Sequence, residues 1–187
     1  MGVRPACGQP LVFPLNGPVT AFSSDEDAIE AQLGRRPRGI HAIGHRCPCS
    51  LPDVVTTEPR LPDGTPFPTT YYLTCPRAAG RIGTLEASGM MREMQDRLGT
   101  DEELAASYRA AHEAYLRDRS ALAQLKGQSV AEIDGISAGG MPDRVKCLHV
   151  LAAHSLVAGP GVNPLGDEVL DALGAWWATG PCVTPDD

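Results

Sequence analysis

The residues best able to do chemistry in this sequence are thiols and imidazoles: Cys47-Pro48-Cys49, Cys75, and Cys147-Leu148-His149. Thiolate and imidazole are the ligands that zinc(II) takes in closed tetrahedral sites. Four thiolates could equally hold an iron–sulfur cluster. Cys47, Cys49 and Cys75 are expected to meet, because an up-down-up run of three strands returns the end of the third to the level of the first turn. Cys147 is the fourth ligand expected, since it falls near the start of an apolar helix, where the dipole favours thiolate. His149 and His154 compete for that position. On an ideal helix, however, His149 would point away from Cys147, so that pairing requires a distorted helix start. The same cysteines could also be ordinary buried thiols or a redox pair.

A second candidate is the stretch from Ser137 to His149. Gly139 and Gly140 precede a helix start, where free N–H groups could meet an anion, with Arg144, Lys146 and His149 as substrate contacts. It matches neither the phosphate-binding loop nor the dinucleotide fingerprint. The chemistry this implies is a hydrolase or transferase acting on a phosphate-bearing small molecule. No Ser–His–Asp order and no His-Glu-x-x-His motif is present.

The elements that must position these groups can be read from pattern. Ser23 and Glu26 have capping-box spacing before a short helix stopped by Gly34 and Pro37. Extended segments follow at Ile40–Ile43, Asp53–Thr57 and Thr69–Thr74, rich in Val, Thr and Tyr and punctuated by Pro62-Asp63-Gly64. They predict a three-stranded antiparallel meander. A helical segment spans about 77–98, interrupted in pattern by Gly83 and Gly89. Thr100 and Glu103 predict the start of a long amphipathic helix to about Leu125. Pro142 predicts the first residue of a helix to Ala158 that is apolar nearly all round and therefore central. A last helix begins near Asp167 and ends with Trp176 and Trp177, which are expected to dock its end on the core.

The fold class expected is therefore α+β, a small three-stranded antiparallel sheet packed with about five helices. Its domain would occupy residues 23–178, after a Pro/Gly-rich flexible segment (1–22, containing Cys7) and before a tail (179–187). A chain of 187 residues with 42% hydrophobic and 21% charged residues has the makings of one sizeable core. Its net charge of −7 argues against a nucleic-acid partner. The short run Arg35, Arg36 and Arg38 reads as a solvated helix end. No apolar run is long enough to span a bilayer, and the N-terminus lacks a signal-peptide pattern, so a cytoplasmic location is expected.

Several ordered strings resemble the actinobacterial family called domain of unknown function 501. They are Arg46-Cys47-Pro48, the run from Pro59 to Pro68, Tyr71 to Pro76, Gly140 to His149, and Gly159 to Pro164. The resemblance covers about residues 26–173. It implies a bacterial cytosolic protein, with a role near polyphosphate or cell division, but no mechanism. It also implies that Cys49 is the replaceable ligand of the set, with His149 or His154 as substitutes, because the family carries asparagine at the matching position. Three readings stand at this point: a zinc protein with a structural or partner-binding role, an enzyme on a phosphate-bearing molecule, and a metal-free adaptor for an unknown protein.

Overall fold

The computed structural model describes residues 22–185, so the lead-in and Cys7 lie outside it, apart from Phe22. Strands β1 (Ile40–Arg46), β2 (Pro52–Thr57) and β3 (Tyr71–Leu73) form one antiparallel sheet in that order. The meander expected from the Val/Thr/Tyr segments is present. Around it lie six α-helices: α1 (Asp25–Leu33), α2 (Pro76–Ser88), α3 (Met90–Leu98), α4 (Glu102–Leu125), α5 (Leu148–Ala158) and α6 (Pro164–Leu173). The α+β class follows from this element set.

Helix boundaries show which local signals won. Ser24 caps α1, accepting from Asp27 N–H. Asp101, not Thr100, caps α4; its carboxylate accepts from Leu104 N–H at 2.9 Å, while the Thr100 hydroxyl bonds back to Asp96 and Arg97 carbonyls. An aspartate adjacent to a threonine takes the cap because its charge also suits the helix N-terminus. The segment 77–98 is two helices, broken at Gly89, whose φ of 99° a side chain would resist.

Helix α5 is central, packing on α6, on α2 and on all three strands. It has no amphipathic stripe because it has no solvent face of any width; Leu148, Leu151, Ala152, Ala153 and His154 are fully buried. Its pairing with α6 is close: a Cβ built on Gly166 would stand 2.2 Å from the Leu151 carbonyl oxygen. The helix starts at Leu148, six residues later than Pro142 suggested. Residues before it spend their backbone groups elsewhere: Lys146 N–H on Gly139, Val145 N–H on the Gln95 side chain, and the Arg144 carbonyl on the Tyr108 hydroxyl. With those bonds made, the chain gains nothing by coiling before Cys147, which is extended at φ −158°.

Tyr115 meets both Tyr71 and His154 edge to face, while Tyr71 and His154 lie parallel to one another, with ring centroids 5.2–5.6 Å apart. The C-terminal residues fold back onto this body. Arg77 donates to the carbonyls of Gly180 (2.6 Å) and Pro181 (2.9 Å), and Val183 is buried. Among the described residues, no helix is long and apolar enough to cross a membrane.

Candidate metal centre

The late start of α5 sets up its first pair of functional side chains. On a helix, Cys147 and His149 would diverge. Cys147 is instead the extended N-cap residue, so its side chain is released from the direction a helical residue would take. Helix α2 supplies the third group. Ala79 and Glu86 lie seven residues apart, two helical turns, and so share one face of α2.

Donor atoms of Glu86, Cys147 and His149 all lie within 4.8 Å of one another, and all three side chains are half-buried. His149 Nδ1 is 3.2 Å from Glu86 Oε1, and its Nε2 is 3.2 Å from the Ala79 carbonyl. Leu148 N–H, the first of α5, donates to the same Glu86 oxygen at 2.8 Å. A carbonyl can only accept, so Nε2 carries a proton. The Nδ1 position then faces a carboxylate and a sulfur.

Two states satisfy that arrangement. In the first, Nδ1 is protonated and the ring is an imidazolium. The Cys147 sulfur beside it, with Glu86, pushes the His149 pKa up to about 9. Burial pushes the Cys147 thiol up, but the His149 ring and the Val150 N–H outweigh it, and its net shift is downward. In the second state, Nδ1 would be bare and the three donors would be free to hold a cation. The edge of a tetrahedron with bonds of about 2.0–2.1 Å is about 3.3 Å, close to the Nδ1–Oε1 separation. A metal-bound histidine typically gives its other N–H to a carbonyl or carboxylate, as Nε2 does here to Ala79.

Cys147 and His149 line a cavity of about 530 Å³ between β3 and the starts of α2 and α5. Tyr71, Tyr72, Thr74 and Val150 contribute most of its character, with Gln32 at one edge. Among the described residues that line it, none is lysine or arginine. Arg144 and Lys146 are both exposed and outside it. The N–H groups of Arg144 and Lys146 are bonded to the Gly140 and Gly139 carbonyls at 2.9 and 2.8 Å.

The other cysteines gather a short way off. Cys49 interacts with Cys47 and with Cys182, and Cys182 with Cys75. Cys47 and Cys49 are thus linked to Cys75 through Cys182 of the tail, while Cys147, expected with them, stands with Glu86 and His149. Cys75 caps α2 and is buried, as is Cys47; Cys49 and Cys182 are half-buried. The five described cysteines are free thiols.

His154 is not beside either group. It is buried against Tyr71 and Tyr115, with Nδ1 3.3 Å from the Asn163 amide nitrogen. Glu86 was not anticipated from sequence, because nothing in its own neighbourhood marks it. The usable signal was Cys147-Leu148-His149 once Cys147 is taken as a cap residue.

Fold and site together describe an α+β domain whose half-buried Cys/His/Glu cluster opens on a cavity. Residues 43–171, well over half of the chain, match the family described as Protein of unknown function (DUF501), and the chain belongs to that family. The match includes Cys47, Cys49, Cys75, Glu86, Cys147 and His149, and it ends before Cys182. Comparison with curated proteins and with solved structures finds no match.

Proposed function

We propose that the protein binds one divalent metal ion, zinc(II) for preference, through Glu86, Cys147 and His149. The ion presents its remaining coordination position to the neighbouring cavity. The observation that carries this reading is the convergence of three chemically suitable donors, two of which, Cys147 and His149, line that cavity, with the far nitrogen of His149 tied to Ala79. A mixed sulfur, nitrogen and oxygen set suits zinc, and three protein ligands are the usual complement where a fourth position is kept for water or substrate. Bound water at such a position ionises near neutrality and can attack a polarised carbonyl or phosphoryl centre.

The cavity favours a substrate of low charge. Its walls are aromatic, aliphatic and hydroxyl-bearing, whereas a phosphate ester would call for the cationic side chains that Arg144 and Lys146 keep in solvent. Cobalt(II) replacing the ion provides the test. An acetohydroxamate or azide titration should shift the visible cobalt bands, and replacing His149 with alanine should abolish that shift. A cobalt spectrum unchanged by either ligand would mean a closed site and would overturn the reading.

A second reading follows from the same side chains without metal. Cys147 and His149 would then form a thiolate–imidazolium pair, with Cys147 as a nucleophile at the cavity. The observation favouring it is that both ring nitrogens face acceptors.

A further inference from the structure

Cys182 belongs to a stretch beyond the family match, yet it comes back across the fold to meet cysteines from two other places. Cys47 and Cys49 sit in the turn between β1 and β2. That turn is closed by Cys47 N–H donating to Leu51 (3.0 Å) and Ser50 N–H donating to Cys47 (2.8 Å), with Ser50 at φ 74°. Cys75 stands between β3 and α2. Cys182 is brought in by the two bonds from Arg77 to its preceding carbonyls. Gln32 of α1 donates to the Cys182 sulfur at 3.3 Å and to the Pro52 carbonyl at 2.7 Å.

Two further acceptors at this place have no partner. Asp53 is fully buried; one carboxylate oxygen meets His45 Nδ1 at 2.7 Å, while Oδ2 is unpaired. Its backbone carbonyl accepts from Thr74 N–H at 2.8 Å, which sets it beside the strand end that leads into Cys75. Gln32 Oε1 is likewise buried and unpaired. Orphaned acceptors in native proteins call for an explanation, an ion among them. Four free thiols and a buried carboxylate with one unpaired oxygen make a place rich in donor electron pairs.

We infer that Cys47, Cys49, Cys75 and Cys182 hold a second, structural zinc(II) ion, which pins the C-terminal segment to the β1–β2 turn and the head of α2. The ion binds as the four thiols release their protons to solvent and become thiolates, so no oxidant or reductant takes part. Soft sulfur ligands select zinc over magnesium or calcium, and a complete protein set leaves no position for substrate. The ion would also fix the start of α2, the helix that carries Ala79 and Glu86. This inference does not depend on the open site, and the two can fail separately.

The test is zinc-edge X-ray absorption on full-length protein carrying Cys147→Ala and His149→Ala, which removes the other candidate ligands. One zinc per chain with sulfur neighbours alone is expected. Replacing Cys182 with serine in that background should lose the ion and expose the C-terminal segment to chymotrypsin at Trp176 and Trp177; Cys182→His, which keeps a zinc ligand, should restore both the ion and the protection. Zinc absent from the first variant, zinc bound with mainly nitrogen or oxygen neighbours, or a disulfide at Cys182 in non-reducing mass spectrometry would overturn the inference. Zinc retained unchanged in Cys182→Ser would do so as well.

Discussion

His154 offers a perturbation whose size can be worked from its surroundings. The side chain is wholly buried between Tyr71 and Tyr115. Asn163 caps α6 by accepting from Gly166 N–H through Oδ1, which turns its amide NH₂ toward His154 Nδ1. That nitrogen must therefore accept, and the ring must be neutral. Burial, opposed by the charges of Asp118 and Asp167, brings its pKa down to about 4 from 6.5. The folded value lies below the unfolded one, so the associated stability is present above about pH 6.5 and is lost as pH falls toward 4. At 1.36 kcal/mol per unit, the full effect is about 3 kcal/mol, of which about 2 kcal/mol disappears between about pH 7.5 and about pH 5. Urea unfolding of the wild type and of His154→Leu at those two pH values measures it. Any constant packing difference cancels, as does acid release of a metal common to both proteins. The wild type should lose about 2 kcal/mol more than the variant over the interval. Equal losses, within about 0.5 kcal/mol, would refute the assignment of a neutral, desolvated His154.

Two other substitutions probe the scaffold. Alanine at Gly166 puts a methyl group 2.2 Å from the Leu151 carbonyl oxygen and 2.3 Å from the Ser155 hydroxyl, so α5 and α6 must separate. The loss should reach the upper part of the range of about 1–3 kcal/mol known for overpacking, read by thermal unfolding, and metal affinity at His149 should fall with it. Arg119 is buried and donates to the carbonyls of Pro68, Ile133 and Ile136. Arg119→Met leaves those acceptors without their donor and should cost about 3 kcal/mol or more by chemical denaturation; under about 1 kcal/mol would show that the carbonyls find other partners.

How much of this was legible in the sequence differs by element. The sheet could be read because its strands are short, β-rich and separated by strong turn signals, so local preference and tertiary structure agree. The centrality of α5 could be read from its lack of a polar face. Its start could not. Pro142 is a good opening residue, but Tyr108, Gln95 and Gly139 satisfy the backbone after it from elsewhere in the chain. That displacement decided the chemistry: it made Cys147 an extended cap residue, turned it toward His149, and set the pair against Glu86. The placing of Cys47 and Cys49 in the β1–β2 turn and of Cys75 just after β3 was deducible, because the up-down-up order of the meander fixes which end each occupies. Cys182 carried no such constraint. Its approach depends on Arg77 and Gln32 reaching a tail whose own sequence has neither periodicity nor a turn pattern. Glu86 is recognisable only once α2 is laid on α5.

The most direct test of the open metal centre is the rate at which Cys147 is alkylated by iodoacetamide, in metal-free protein and after two equivalents of zinc, with tandem mass spectrometry of the tryptic peptide 147–187 separating label on Cys147 from label on Cys182. A sulfur held beside His149 at the head of α5 should react readily when bare, and zinc should suppress the reaction at least tenfold, on the order of 1.4 kcal/mol of protection or more. Alkylation of Cys147 at the same rate with and without zinc would contradict the proposal that this thiolate is a metal ligand.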